Sequence, residues 1–168
     1  EGFTVSNGSG SKGGGAYFYA ASPVVVDCVF RDNSATYGGG VFAESVAEPM
    51  FLACSFVSNV SALSGGGVQC DYWSEPEFVD CFISDNLASN GDGGGVHCVG
   101  AAPTFLGTEI SNNVAAHFGG GVSAVDYAFP ILTNCLVVRN AAAGSGGGLA
   151  CSYGANLSVK RTTVAENA

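Results

Sequence analysis

The chain is short of charge, and what charge it has is almost all of one sign. Only 11% of its 168 residues are charged, and five Lys and Arg (Lys12, Arg31, Arg139, Lys160, Arg161) face fourteen Asp and Glu for a net −9. Nucleic-acid binding needs a basic stripe to displace counterions, and none is present. Attraction to anionic membrane surfaces fails for the same reason. No apolar run approaches the length that spans a bilayer, so direct membrane insertion by a helix is not expected. Helical periodicity is missing as well: apolar residues alternate with polar ones over short stretches broken by Gly, Pro and Asn, which are strand and turn signals.

Glycine is what the chain has in excess, 26 residues in all. Most of them fall in triplets, Gly13–15, Gly38–40, Gly65–67, Gly93–95, Gly119–121 and Gly146–148. A second series, Asn7, Asn33, Asn59, Asn86, Asn113, Asn140 and Asn167, keeps a spacing of 26 or 27 residues. Counting from each Asn, an apolar residue recurs three before it (Phe30, Phe56, Ile83, Ile110, Val137, Val164). Cys or Thr recurs five before it, and another apolar residue eight before it (Val25, Phe51, Phe78, Phe105, Leu132, Val159). Pro23, Pro49, Pro76, Pro103 and Pro130 stand ten before it.

One such unit cannot bury its apolar face alone, whereas units stacked in register share one core and align like residues into ladders. The expected fold is therefore all-β: a right-handed parallel β-helix of about six coils of ~27 residues. Three short strands per coil are expected, at the Gly-Gly-Gly-Val stretch, after the Pro, and through Cys-x-Phe. Residues 1–168 read as a single solenoid segment that continues past one or both ends. Leucine-rich, WD40 and kelch repeats fail on consensus or on length.

The motif Cys-x-Phe-x-x-Asn-x-Ala followed by Gly-Gly-Gly-Val resembles the polymorphic outer membrane protein repeat of chlamydial surface adhesins. The Phe-x-x-Asn hallmark stands as Phe30-Arg-Asp-Asn33 and Phe56-Val-Ser-Asn59, and Ile or Val takes the aromatic slot in later coils. The second hallmark is altered, with Gly40-Val41 and Gly67-Val68 where the family usually has Ala before the aliphatic residue. The resemblance implies a β-helix on an extracellular or cell-surface protein with an adhesive or structural role. It also implies partners among copies of the chain, other solenoid or filament subunits, and surface glycans.

Each column has a structural reading and a sharper one. Asn33, Asn59, Asn86, Asn113, Asn140 and Asn167 are expected to form an amide ladder, with Asn also supplying the left-handed turn. The middle glycines Gly39, Gly66, Gly94, Gly120 and Gly147 outline a side-chain-poor strip against which a neighbouring rod or a ligand could lie. Cys28, Cys54, Cys81 and Cys135 share one column; Cys70, Cys98 and Cys151 share another. They read as buried free thiols acting as small core fillers, although neighbouring coils bring some pairs within disulfide range.

His97 and His117 read as exposed and uncoordinated. Asp27 and Asp80, and separately Asp32, Asp85 and Glu166, form broken acidic columns. These suit a solvated face or a weak Ca²⁺ site better than a catalytic pair, and no other cofactor is implied. Tyr72, Trp73, Tyr127 and Tyr153 fall in the variable stretch after each triplet, where they either cover the core or stack on sugar rings. Of three sequons, Asn156-Leu157-Ser158 is the credible glycosylation site, because Asn7 and Asn59 belong to the ladder. The function expected is a non-enzymatic rod; the alternative is a carbohydrate-binding or pectate lyase-like β-helix.

Overall fold

The structure is a computed structural model that describes residues 2–168. The described chain is entirely strands, turns and loops wound into a parallel β-solenoid of about six coils. Coil three shows the plan, with strands Val60–Ser61, Val68–Asp71, Glu77–Val79 and Phe82–Ser84. Each strand pairs in parallel with its equivalents one coil before and one coil after. Stacking the Phe82–Ser84 equivalents gives a seven-stranded sheet A. The other three give six-stranded sheets B, C and D, in the chain order of coil three.

Four strands per coil replace the three expected. The extra one follows the Asn and is only two residues long in the middle coils (Val60–Ser61, Leu87–Ala88, Val114–Ala115). One small residue of each points inward, too little to produce a readable alternation.

Like residues meet like residues in the core. Phe51, Phe78 and Phe105 stack with ring centroids 5.0 and 4.8 Å apart and nearly parallel planes. Phe30 and Phe56 stack at 5.2 Å, and the edge of Phe51 meets Phe56 across the coil. Ile83, Ile110 and Val137 extend the Phe30–Phe56 column, and Val41, Val68, Val96 and Val122 line the opposite wall, all fully buried.

Corners between sheets use the left-handed conformation. Asp27, Ala53, Asp80, Gly107, Asn134 and Arg161 adopt it between sheets D and A, and Asp32, Ser58, Asp85, Asn112, Arg139 and Glu166 between sheets A and B. The acidic columns are thus corner positions, where Asp and Asn tolerate positive φ better than most residues. The ladder Asn residues themselves do not adopt it; the residue before each one makes the turn. Asn7 is the exception: the strand register pairs Ser6 with Arg31, which puts Asn7 at the corner (φ 58°) beside Asp32 and Gly8 beside Asn33. Gly8 N–H then caps the ladder by donating to Asn33 Oδ1 at 2.9 Å. The first Asn of the spacing series therefore lies one residue out of register.

Candidate ligand-binding face

The Asn column runs unbroken from Asn33 to Asn167. Each Nδ2 donates to the Oδ1 of the next Asn at 2.9–3.1 Å and also to a backbone carbonyl of the preceding coil. Each Oδ1 in turn accepts from the backbone N–H of the preceding ladder Asn. The Gly triplets close over this ladder. In Gly93–95 the first glycine has φ +66°. A Cβ on the second would lie 2.5 Å from the Val114 carbonyl, and one on the third 2.9 Å from the Asn113 amide. The middle glycines are buried against their own chain (Gly147 partly), so they form an internal close approach and not the outward strip expected.

The thiols are hydrogen-bonding groups as well as fillers. Cys81 Sγ donates to Val79 O (3.3 Å) and Phe51 O (3.4 Å). Thr108 Oγ1 and Cys135 Sγ repeat the same pair of bonds one and two coils on. Thr replaces Cys because both donate from the γ position. All seven cysteines are free; six are buried, but Cys151, expected in the core, is exposed. Burial pushes the Cys54, Cys70, Cys81 and Cys135 thiols up, Cys81 to about 12.

The outer face of sheet C differs from the rest of the surface. In the middle coils the outward-pointing residues there are sunk between the pre-triplet loop on one side and the corner to sheet D on the other, whereas Tyr17 and Tyr19 of the first coil are exposed. Along one row stand Tyr17, Phe42, Gln69, His97, Ser123 and Ala150; beside it run Tyr19, Glu44, Asp71, Val99 and Val125. His97 is only 5% exposed and Gln69 2%, which corrects the expectation of a solvent-exposed His97. His117, before its triplet, is exposed and lies 4.0 Å from Asp92.

Two clefts lie on this face. One, of 310 Å³, reaches from Lys12 across Gln69 and Asp71 to His97, with Tyr72 on its rim. The other, of 540 Å³, lies over Ser123, Ala150 and Ser152, with Asp92 and Phe118 on one wall and Tyr153 on the other.

The first cleft is chemically loaded. Lys12 Nζ bonds both Glu44 oxygens at 2.8 and 2.7 Å and sits 4.9 Å above the Phe42 ring; Tyr17 donates its hydroxyl to Glu44 at 2.5 Å. Burial pushes the Glu44 carboxyl up, but the bonds from Lys12 and Tyr17 outweigh it and hold the group below its ordinary value. Gln69 Nε2 donates to Asp71 Oδ1 at 2.9 Å. Burial, reinforced by the Glu44 charge, raises the Asp71 carboxyl to about 6. Burial lowers His97 to about 4 against the pull of Asp92 and Asp126, so its imidazole is neutral at pH 7. Gln69 Oε1 and His97 Nδ1 have no hydrogen-bond partner.

The rim aromatics stand out into solvent, with Trp73 75%, Tyr127 79% and Tyr153 78% exposed. Their backbone is unusual: Tyr72–Trp73 and Asp126–Tyr127 are consecutive residues at positive φ, and Tyr153 precedes the positive-φ Gly154. They do not cover the core, because Ala47, Ser74, Ala101 and Ala128 close it beneath them. Asn156 is exposed and Asn59 fully buried; Asn7, at its corner and out of the ladder, is exposed too, so its sequon is as open to glycosylation chemistry as that of Asn156, which corrects its expected exclusion. Among the described residues, no three His, Cys, Asp or Glu side chains converge as a metal site.

No family model matches the chain, and neither does any curated protein or solved structure. Sequence reasoning found the aromatics but missed Lys12, Glu44, Gln69, Asp71 and His97. Their only shared signal is an outward phase two or four residues beyond the last triplet glycine (for Lys12, one residue before its triplet), and their identities change from coil to coil.

Proposed function

We propose that the chain is a rigid, non-enzymatic module of an extracellular surface or filament protein, which builds a rod and presents one face for binding. The Asn ladder carries this reading. The residues that recur in every coil are consumed by coil-to-coil bonding, and this bonding runs without a break from Asn33 to Asn167. In such a solenoid each coil is bonded to its two neighbours only, so side chains along one face keep fixed spacings over its length. The resemblance to the repeat of chlamydial surface adhesins supports the same reading. It brings with it as partners copies of the chain, related solenoid subunits and surface glycans.

The test is to label intact and permeabilised cells that make the protein with antibodies to the folded chain, and to view the labelled structures by electron microscopy. Label on the surface or on fibres of intact cells is expected. Label that appears only after permeabilisation overturns the assignment. Incubation with a polysaccharide panel addresses the enzymatic alternative: released reducing ends or unsaturated products would replace the rod with a pectate lyase-like enzyme.

A further inference from the structure

We infer that the outer face of sheet C binds a neutral polysaccharide laid along the rod axis, seated in the cleft formed by Gln69, Asp71 and His97 under the Tyr72 ring. This rests on the reading of the chain as a binding rod and names what the rod takes up.

Two atoms on the cleft-lining side chains, Gln69 Oε1 and His97 Nδ1, are buried and unpartnered. Buried polar groups in folded proteins are nearly always hydrogen-bonded, and one left bare is costly. A hydroxyl group both donates and accepts. It therefore satisfies the Gln69 oxygen, and it satisfies His97 Nδ1 in whichever tautomer the ring adopts. Asp71 beside them offers a further acceptor.

The rim supplies the second element. Positive φ is unfavourable at a non-glycine residue, yet Tyr72 and Trp73 both bear it (φ 48° and 64°). The same corner is Ser45–Val46 one coil earlier, and Gly100 stands at the Tyr72 position one coil later, so the turn itself does not require a ring there. An exposed aromatic face beside polar groups is what the C–H face and hydroxyls of a sugar ring require.

The face repeats this plan. Tyr153 holds the same corner position as Tyr72, three coils further on, about 14 Å along the axis at the spacing of parallel strands, and it walls the second cleft over Ser123 and Ser152. One extended chain can engage both. Charge decides the class of chain. The face carries Glu44, Asp71 and Asp92, and Lys12, the cation lining the cleft, is already paired with Glu44. An anionic polysaccharide would be repelled, whereas neutral hydroxyls donate to these carboxylates.

Isothermal titration calorimetry of the full chain with cello-, manno- and chito-oligosaccharides, oligogalacturonate and an oligolysine peptide tests the inference. Saturable binding of a neutral oligosaccharide is expected. Tyr72→Gly should weaken it by roughly tenfold, the loss of one good contact, without lowering Tm, because it relieves a strained φ; Gln69→Leu should weaken it as much but also lower Tm, because it removes the donor to Asp71 as well as the unpaired acceptor. A Tm drop for Tyr72→Gly that matches its affinity loss would assign Tyr72 to structure instead. Preference for oligolysine or oligogalacturonate, or no binding by any neutral sugar, overturns the inference and leaves the rod standing. Cleavage of a bound sugar would instead overturn the non-enzymatic reading beneath it.

Discussion

Asn86 shows how much one residue carries in this chain. Its Nδ2 donates to Phe56 O and Asn113 Oδ1, and its Oδ1 accepts from both Asn59 N–H and Asn59 Nδ2, all at 2.9–3.1 Å and fully buried. Truncation strands groups on two coils, each costing about 1–3 kcal/mol when buried unpaired. Asn86→Ala should therefore lose about 3–5 kcal/mol in urea denaturation. Asn86→Asp, the same shape without the amide donor, should be no better. A loss under ~1 kcal/mol for either would show that the ladder is ornamental.

At the thiol column the donor matters more than the volume. Cys81→Thr, which imitates Thr108, should stay within about 1 kcal/mol of the parent. Cys81→Val removes the donor to Phe51 O and Val79 O and should cost about 1–3 kcal/mol. Equal stabilities for the two variants would return the column to simple filling.

Among the elements, the triplet loops and sheet C carry the sharpest constraints. A Cβ at Gly94 would meet the Val114 carbonyl at 2.5 Å and Gly120 O at 2.6 Å, with backbone on every side and no flexible side chain to yield. Gly94→Ala should destabilise by 3 kcal/mol or more, roughly the upper range of point substitutions. An alanine at Gly10, where the nearest atom would be 3.6 Å away, should be tolerated. Thermal melts of the pair compare them directly.

Sheet C also makes stability depend on pH in two opposed ways. Asp71 is raised from 3.8 to about 6, so the fold favours its protonated form; that stabilisation is complete at low pH and lost as pH rises from about 4 to about 6. His97 is lowered from 6.5 to about 4, so the fold favours its neutral form; that stabilisation is present above pH 6.5 and lost as pH falls towards 4. The two slopes largely cancel in the parent chain. Asp71→Asn should leave Tm rising from pH 4 to 6.5, and His97→Gln should leave it falling from pH 4 to 6. Parallel pH profiles for the two variants would rule this out.

For the molecule as a whole, coils bonded only to their neighbours make stability a sum of stacking terms. Six coils at ~4.8 Å give a segment about 29 Å long. The core columns are fully buried from Phe51 to Leu132 but half-open at Val25 and exposed at Val159. Amide exchange in this 168-residue chain should be slowest in the strands Glu77–Val79 and Thr104–Leu106 and quicken towards Thr4–Ser6 and Thr163–Ala165. Uniform protection along the axis would mean that the coils unfold as one unit.

The repeat was legible because it is linear information. A residue that must meet its own kind one coil away has to recur at one period, so the Asn, Phe/Ile/Val, Cys/Thr and Gly columns announced both the solenoid and its core. Where one coil departs from that period the register slipped, as at Asn7, because a single Asn does not say whether it turns the chain or joins the ladder; only the pairing of Ser6 with Arg31 decides. The candidate site was legible only in part. Tyr72, Trp73, Tyr127 and Tyr153 were visible as aromatics in a variable stretch. Gln69, Asp71 and His97 share no residue type, and what joins them is that the triplet loop and the sheet D corner rise on either side of sheet C and bury its outward face. Periodicity determined which residues face in. The depth of the surface between two walls, which makes a cleft of outward residues, belongs to the tertiary structure, because no single coil contains it.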